Sequence, residues 1–244
     1  MESGLTVVTF NGFLGNKTEL YNALSPYLDI SNWLNIAVSD PEQYQEISAL
    51  GGGDYVLGLK HYILNRCRGE RISIGYSLGG RLLLKLIELD SCMFTKLVFI
   101  STHPGLQSEN ERLARLKSDS EWAKKLETLS LYHFFAEWNA QPVLATSADR
   151  THLSLENFDV AHTKKVLLEF SLATQADYRS QIENLKCPQL WVAGENDQKF
   201  VNLHRALYGP SLSIETILGA GHRVHLDRPL ELSAIIARFL EKTD

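Results

Sequence analysis

Gly75-Tyr76-Ser77-Leu78-Gly79 fits the pattern G-x-S-x-G. It follows an apolar run, Arg71–Gly75, that reads as a strand, and it opens a helical pattern over Leu78–Leu89. A serine at the apex of so sharp a strand-to-helix turn is held exposed on a strained backbone. Glycines flank it because bulkier neighbours would clash. The helix start beneath it supplies free N–H groups and a positive dipole end. The chemistry such a serine does depends on a base, expected later in the chain in the order Ser, Asp, His. Asp197 lies in Gly194-Glu195-Asn196-Asp197 and His222 in Gly219-Ala220-Gly221-His222, each just past a predicted strand. Each has competitors. Asp197 is also a plain cap for the helix after it, with Glu195 as a rival acid. His222 is also an ordinary loop residue, with His225 as a rival base. Chain order and strand-end position favour Asp197 and His222.

Two further groups complete such a site. The N–H of Leu78, next to the serine, is one expected oxyanion donor. The second is the N–H of Phe13, in the loop Asn11-Gly12-Phe13-Leu14-Gly15 after the first strand. A plain glycine turn before a helix is the competing reading of that loop.

These residues must be held by a scaffold. Leu5–Phe10, Trp33–Val38, Arg71–Gly75, Lys96–Ser101, Gln189–Ala193 and Leu212–Ile217 read as buried strands. Helical periodicity is clearest over Lys17–Tyr27, Tyr55–Cys67, Leu78–Leu89, Asn202–Tyr208 and Pro229–Leu240. Alternating strands and helices indicate an α/β protein with a mostly parallel sheet and helices on both faces. With the serine motif at a strand end, this is the α/β-hydrolase fold. The alternation stops after Ser101. Residues 104–184 are helical and rich in aromatics, which is too long a stretch for a loop. They read as a helical cap inserted into a core of residues 1–103 and 185–244. Trp122, Tyr132, Phe134, Phe135, Trp138 and Phe158 lie in the cap; packing within it accounts for most, and one or two lining a pocket is the alternative. Gly51–Gly53 is a joint before a helix, since no lysine follows at phosphate-loop spacing.

At 244 residues, the chain can bury one sizeable core. A net charge of -5 argues against a nucleic-acid surface. It also leaves an acidic substrate to be drawn in by a local cluster of cations. Cys67, Cys92 and Cys187 show no metal spacing or disulfide pairing and read as reduced thiols of a cytoplasmic protein. The start, M-E-S-G-L-T-V-V-T-F, does not read as a signal peptide, and no apolar run approaches the roughly 20 residues needed to span a bilayer. No metal, cofactor, nucleic-acid or membrane partner is expected, and a monomer is.

The chain resembles the MenH family, the 2-succinyl-6-hydroxy-2,4-cyclohexadiene-1-carboxylate synthases of menaquinone biosynthesis. The similarity runs from about Phe10 to about Pro229. It is carried by Gly75-Tyr76-Ser77-Leu78-Gly79-Gly80-Arg81, by His103-Pro104-Gly105-Leu106-Gln107 with Arg112 and Arg115, and by Trp138 with Gln141-Pro142-Val143. Gly194-Glu195-Asn196-Asp197-Gln198-Lys199-Phe200 and Gly219-Ala220-Gly221-His222 complete it. Two features depart from the family pattern. Asn11-Gly12 stands where His-Gly is usual, and Ser154–His162 lacks a further cap arginine, although Arg150 is nearby. The resemblance implies a lyase that expels pyruvate from a cyclohexene bearing succinyl, carboxylate and enolpyruvyl groups. Ser77, polarised by His222 and Asp197, would be its base. Tyr76, Arg81, Arg115 and Trp138 would bind this small polycarboxylate. A serine hydrolase of small esters or thioesters and a non-catalytic binding protein are the competing readings.

Overall fold

A computed structural model describes residues 4–147 and 158–242. Arg150 and residues 154–157 of the Ser154–His162 stretch lie outside the described residues. Six parallel strands form one sheet in the order β2-β1-β3-β4-β5-β6. They are β1 (Thr6–Phe10), β2 (Asn32–Ile36), β3 (Arg71–Tyr76), β4 (Lys96–Ile100), β5 (Gln189–Gly194) and β6 (Leu212–Ile217). Alternate residues feed opposite faces, as a strand's period of two requires. Leu97 and Phe99 enter one hydrophobic core, while Val98 and Ile100 enter the other. All four are fully buried, which is why β4 reads as a continuous apolar run.

Helices cover both faces. One is packed by α2 (Pro41–Leu50), α3 (Tyr55–Arg66) and α4 (Leu78–Leu89). The other is packed by α1 (Glu19–Leu24), the short α10 (Val224–Asp227) and α11 (Pro229–Glu241). Sequence periodicity does not single out α2, although Asp40 caps Gln43 N–H and Pro41 occupies the first turn. The helix expected over Asn202–Tyr208 lies earlier, as α9 (Gln198–Arg205), because Asp197 is its N-cap. The strand expected over Trp33–Val38 runs one residue earlier at its start and ends at Ile36.

The order of strands reverses between β1 and β3: the chain moves outward to β2 from one and on to β4 from the other. At such a switch the loops after two neighbouring strands part and leave a crevice at their carboxyl ends. The loop after β1 carries Phe13, and the turn after β3 carries Ser77.

Between β4 and β5 the described residues hold helices and no strand: α5 (Glu109–Thr128), α6 (Leu131–Asn139), α7 (Val160–Glu169), a 3₁₀ turn (Leu172–Thr174) and α8 (Arg179–Asn184). Ser108 and Glu111 close a reciprocal capping box that starts α5. Phe134, Phe135, Leu126 and Leu167 form a small core of their own, on which Leu14 of the loop after β1 also packs. Where the segment leaves and rejoins the sheet, the Tyr178 N–H donates to the Pro104 carbonyl at 2.8 Å.

Candidate active site

Ser77 sits between β3 and α4 with φ 51° and ψ -111°. That conformation is strained for a residue with a side chain and persists because the neighbours enforce it. The glycines are required by contact. A Cβ on Gly79 would lie 2.1 Å from the Phe10 carbonyl oxygen, and one on Gly75 would lie 2.6 Å from the Cα of Gly80.

Ser77 Oγ lies 3.2 Å from His222 Nε2, and His222 Nδ1 lies 2.6 Å from Asp197 Oδ2. Asp197 and His222 are buried. Asp197 makes two contacts at once: while Oδ2 meets the imidazole, Oδ1 accepts the Phe200 N–H at 3.4 Å and caps α9. A buried carboxylate beside Nδ1 fixes the proton there and leaves Nε2 as acceptor toward the serine. The rivals are elsewhere. His225 Nε2 pairs with Glu19 Oε1 at 3.0 Å, and Glu195 Oε2 accepts the Gly219 N–H at 2.9 Å.

The histidine loop is held by residues that give no sequence signal. Ser101 Oγ donates to the His222 carbonyl at 2.9 Å, and Thr146 Oγ1 accepts the His222 N–H at 3.3 Å. Ser147 Oγ accepts the Arg223 N–H at 2.8 Å. The turn that follows α6 therefore rests directly on the loop carrying the base.

A cavity of about 900 Å³, counted to its open mouth, lies over Ser77. Phe13, Leu78, Arg81, Arg115, Trp138 and His222 all line it. Leu78 is the first residue of α4, so its N–H has no partner within the helix. Asn11, in place of the expected histidine, anchors the Phe13 loop. Its Oδ1 accepts the Leu20 N–H at 3.0 Å, and its Nδ2 donates to the carbonyls of Lys17 and Ile36 at 3.0 and 3.1 Å. The Trp138 ring packs 5.1 Å from Phe13 and 5.0 Å from Trp122, so two indoles roof the cavity beside the oxyanion loop. Tyr132, by contrast, is exposed.

Tyr76, expected to bind substrate, is placed behind the row of Ser77, His222 and Asp197. Its ring is buried, packs 4.3 Å from His225 and 5.6 Å from His222, and is not part of the cavity wall. Burial pushes its phenol pKa up. The ring is a backstop for the His222 imidazole.

Arg81 rises one helical turn beyond Ser77. It donates to the Phe170 carbonyl at 2.9 Å and to Gln175 Oε1 at 3.3 Å, and it forms no ion pair among the described residues. Burial, and then the charge of Arg115, lowers its pKa to about 9, leaving it cationic near neutrality. Arg115, on α5, is held through Nε by both oxygens of the buried Asp119. Lys199 adds a third cation to the wall; desolvation and Arg115 lower its pKa. Arg112 is structural: it donates to the carbonyls of Leu106, Ala173 and Gln175. Among the described residues there is no cluster of acidic, histidine and cysteine side chains able to hold a metal, no disulfide, and no helix long and apolar enough to cross a membrane.

No family model matches the chain. It is 34% identical over 238 residues to the 2-succinyl-6-hydroxy-2,4-cyclohexadiene-1-carboxylate synthase of Citrobacter koseri, covering 96% of this chain and 93% of that one. It is also 34% identical over 171 residues to the enzyme of the same name from Klebsiella pneumoniae, covering 68% and 67% of the two chains. Among solved structures, MenH from S. aureus superposes with a TM-score of 0.78 at 21% identity, over 99% of this chain and 95% of that one. A thermophilic esterase from Thermogutta terrifontis superposes with a TM-score of 0.69 at 16% identity, over 98% and 90%.

Proposed function

Because the chain belongs to the 2-succinyl-6-hydroxy-2,4-cyclohexadiene-1-carboxylate synthase family, lyases of menaquinone biosynthesis on the α/β-hydrolase fold, we propose that its cavity eliminates pyruvate from 2-succinyl-5-enolpyruvyl-6-hydroxy-3-cyclohexene-1-carboxylate. Ser77 takes the ring proton while passing its own to His222 Nε2. The C–H bond breaks, a ring double bond forms, and the C–O bond to the enolpyruvyl group breaks. The leaving enolate collects the proton from His222 and becomes pyruvate. Asp197 stabilises the imidazolium between the two transfers. Negative charge that develops on the succinyl carbonyl meets the N–H groups of Phe13 and Leu78. No acyl-enzyme forms.

The observation that carries this reading is Arg81, a cation on the wall above Ser77 with only neutral oxygens as partners. A half-buried guanidinium whose hydrogen bonds go only to neutral oxygens can hold an anionic ligand by charge-assisted hydrogen bonds. With Arg115 and Lys199 it forms a cationic wall suited to a polycarboxylate, whereas a general esterase needs an apolar acyl pocket. Trp138 supplies the apolar surface for the ring. The enzyme on this reading is a cytoplasmic monomer without a cofactor, with residues 104–184 acting as its cap.

Incubation with the enolpyruvyl substrate tests this. Pyruvate and the cyclohexadiene product should appear in equal amounts. Absence of pyruvate together with brisk turnover of p-nitrophenyl esters would replace the lyase reading with a hydrolase.

A further inference from the structure

His103 lines the same cavity and has no part in the reaction just described. It follows β4, and its side chain is 6% exposed. Its two ring nitrogens are in different situations. Nδ1 accepts the Gly105 N–H at 3.1 Å. An accepting nitrogen carries no proton, so the proton of the neutral ring is on Nε2. Burial above all, and then the charges of Lys199, Arg81, Arg179 and Arg115, lowers the pKa to about 3. The ring is therefore uncharged near neutrality, with its tautomer set by Gly105.

Nε2 has no acceptor among the described residues. It is also not sealed into the core, as the orphaned Nδ1 atoms of His204 and His225 are. His103 lies on the cavity wall. A histidine needed only to fix its loop would be complete with the Gly105 contact and with its carbonyl, which accepts from Gln175 Nε2 at 3.2 Å. The acidic side chain of the wall, Asp119, is already engaged by Arg115 and Ser171. No described residue accepts from Nε2–H, which leaves it for an acceptor that enters the cavity. Beside Arg81, Arg115 and Lys199, that acceptor is the oxygen of an anion.

We infer that His103 is a further substrate-binding residue, whose Nε2–H donates to a carboxylate oxygen of the substrate held by Arg81 and Arg115. This rests on the polycarboxylate reading above. A neutral donor in one fixed tautomer adds direction to a site whose other donors act mainly through charge, and it takes up no proton when substrate binds.

The test compares wild type, His103→Phe and His103→Gln with the enolpyruvyl substrate, and follows the imidazole nitrogens by ¹⁵N NMR of histidine-labelled protein. Phenylalanine removes both nitrogens; glutamine can accept from Gly105 and still offer an N–H to the cavity. His103→Phe should raise KM by about ten- to a hundred-fold, with kcat changed by less than about three-fold, and His103→Gln should recover most of the loss. The His103 Nε2 signal should show the neutral Nε2–H form near neutrality and shift when substrate saturates the protein. A folded His103→Phe with unchanged KM overturns the inference, and so does an Nε2 signal that substrate leaves unmoved. If His103→Phe fails to fold, the glutamine variant and the NMR shift decide. Wild-type protein that releases no pyruvate would instead overturn the functional reading, and this inference with it.

Discussion

Arg115 donates its Nε to both carboxylate oxygens of Asp119, at 2.8 and 2.9 Å, one helical turn along α5. Asp119 is 2% exposed, and its Oδ2 also accepts from Ser171 Oγ at 2.6 Å. The pairing uses the inner edge of the guanidinium and leaves the terminal nitrogens for the cavity. On the proposed reading Arg115 is a preset donor, its orientation fixed before substrate arrives.

Arg115→Ala should lower kcat/KM by roughly ten- to a few hundred-fold, the value of a charge-assisted hydrogen bond of about 1.5–3 kcal/mol. Arg115→Lys should recover only part, because the fork is lost. Asp119→Asn leaves the arginine in place but frees its orientation. It should raise KM about ten-fold and leave kcat nearly unchanged. Steady-state kinetics on the three variants checks this; normal kinetics in all of them would make the pair a purely structural contact of α5.

Arg81→Ala should cost a similar factor in kcat/KM, and thermal unfolding should register it as well. The Phe170 carbonyl and Gln175 Oε1 lose a donor, which costs about 1–3 kcal/mol. An unchanged Tm would mean that water replaces the guanidinium at little cost.

Ser77→Ala should depress kcat by about 10²–10⁴-fold, the range for a general base, while KM moves by only a few-fold. Intact-mass spectrometry of wild type during turnover should show no added mass. An acyl-serine would place the chemistry with the hydrolases.

His204 predicts how stability depends on pH. Its Nε2 lies 2.9 Å from the Thr102 carbonyl, and burial lowers its pKa to about 4. The unfolded value is about 6.5. Above that, both states are neutral and the contribution is fully present. As pH falls, the unfolded chain takes up a proton that the folded chain refuses, and stability is lost, by about 3 kcal/mol at pH 4. His103 acts in the same direction. Urea midpoints should fall from pH 7 to pH 4.5, and His204→Gln should flatten that slope. Equal slopes in the two proteins would mean that His204 is charged in the fold.

The sequence was most informative where local pattern and local structure coincide. The continuous apolar run of β4 and the G-x-S-x-G turn each announce themselves within a few residues. Asp197 and His222 could be proposed because each directly follows a strand. Ser101, Thr146 and Ser147 were invisible, since each acts on the His222 loop from a distant point in the chain. The same holds for Gln175, which joins Arg81 to His103 across the base of the cap. The placement of Tyr76 was not legible either: its neighbour Ser77 faces the cavity while its own ring packs on His225. The helix α2 had a readable start in Asp40-Pro41 but only weak amphipathic patterning to extend it.

The hydrogen bond from Tyr178 to Pro104 closes the stem of a long excursion between two paired strands, β4 and β5. Because exit and return are clasped together, strand pairing beneath does not depend on how many residues travel in between. Lengthening that excursion adds only about 0.6 kcal/mol of closure entropy per doubling. Descendants of such a gene can therefore gain, lose or exchange segments there and reshape what enters the cavity while inheriting the serine turn unaltered, as long as Thr146 and Ser147 still meet the histidine loop.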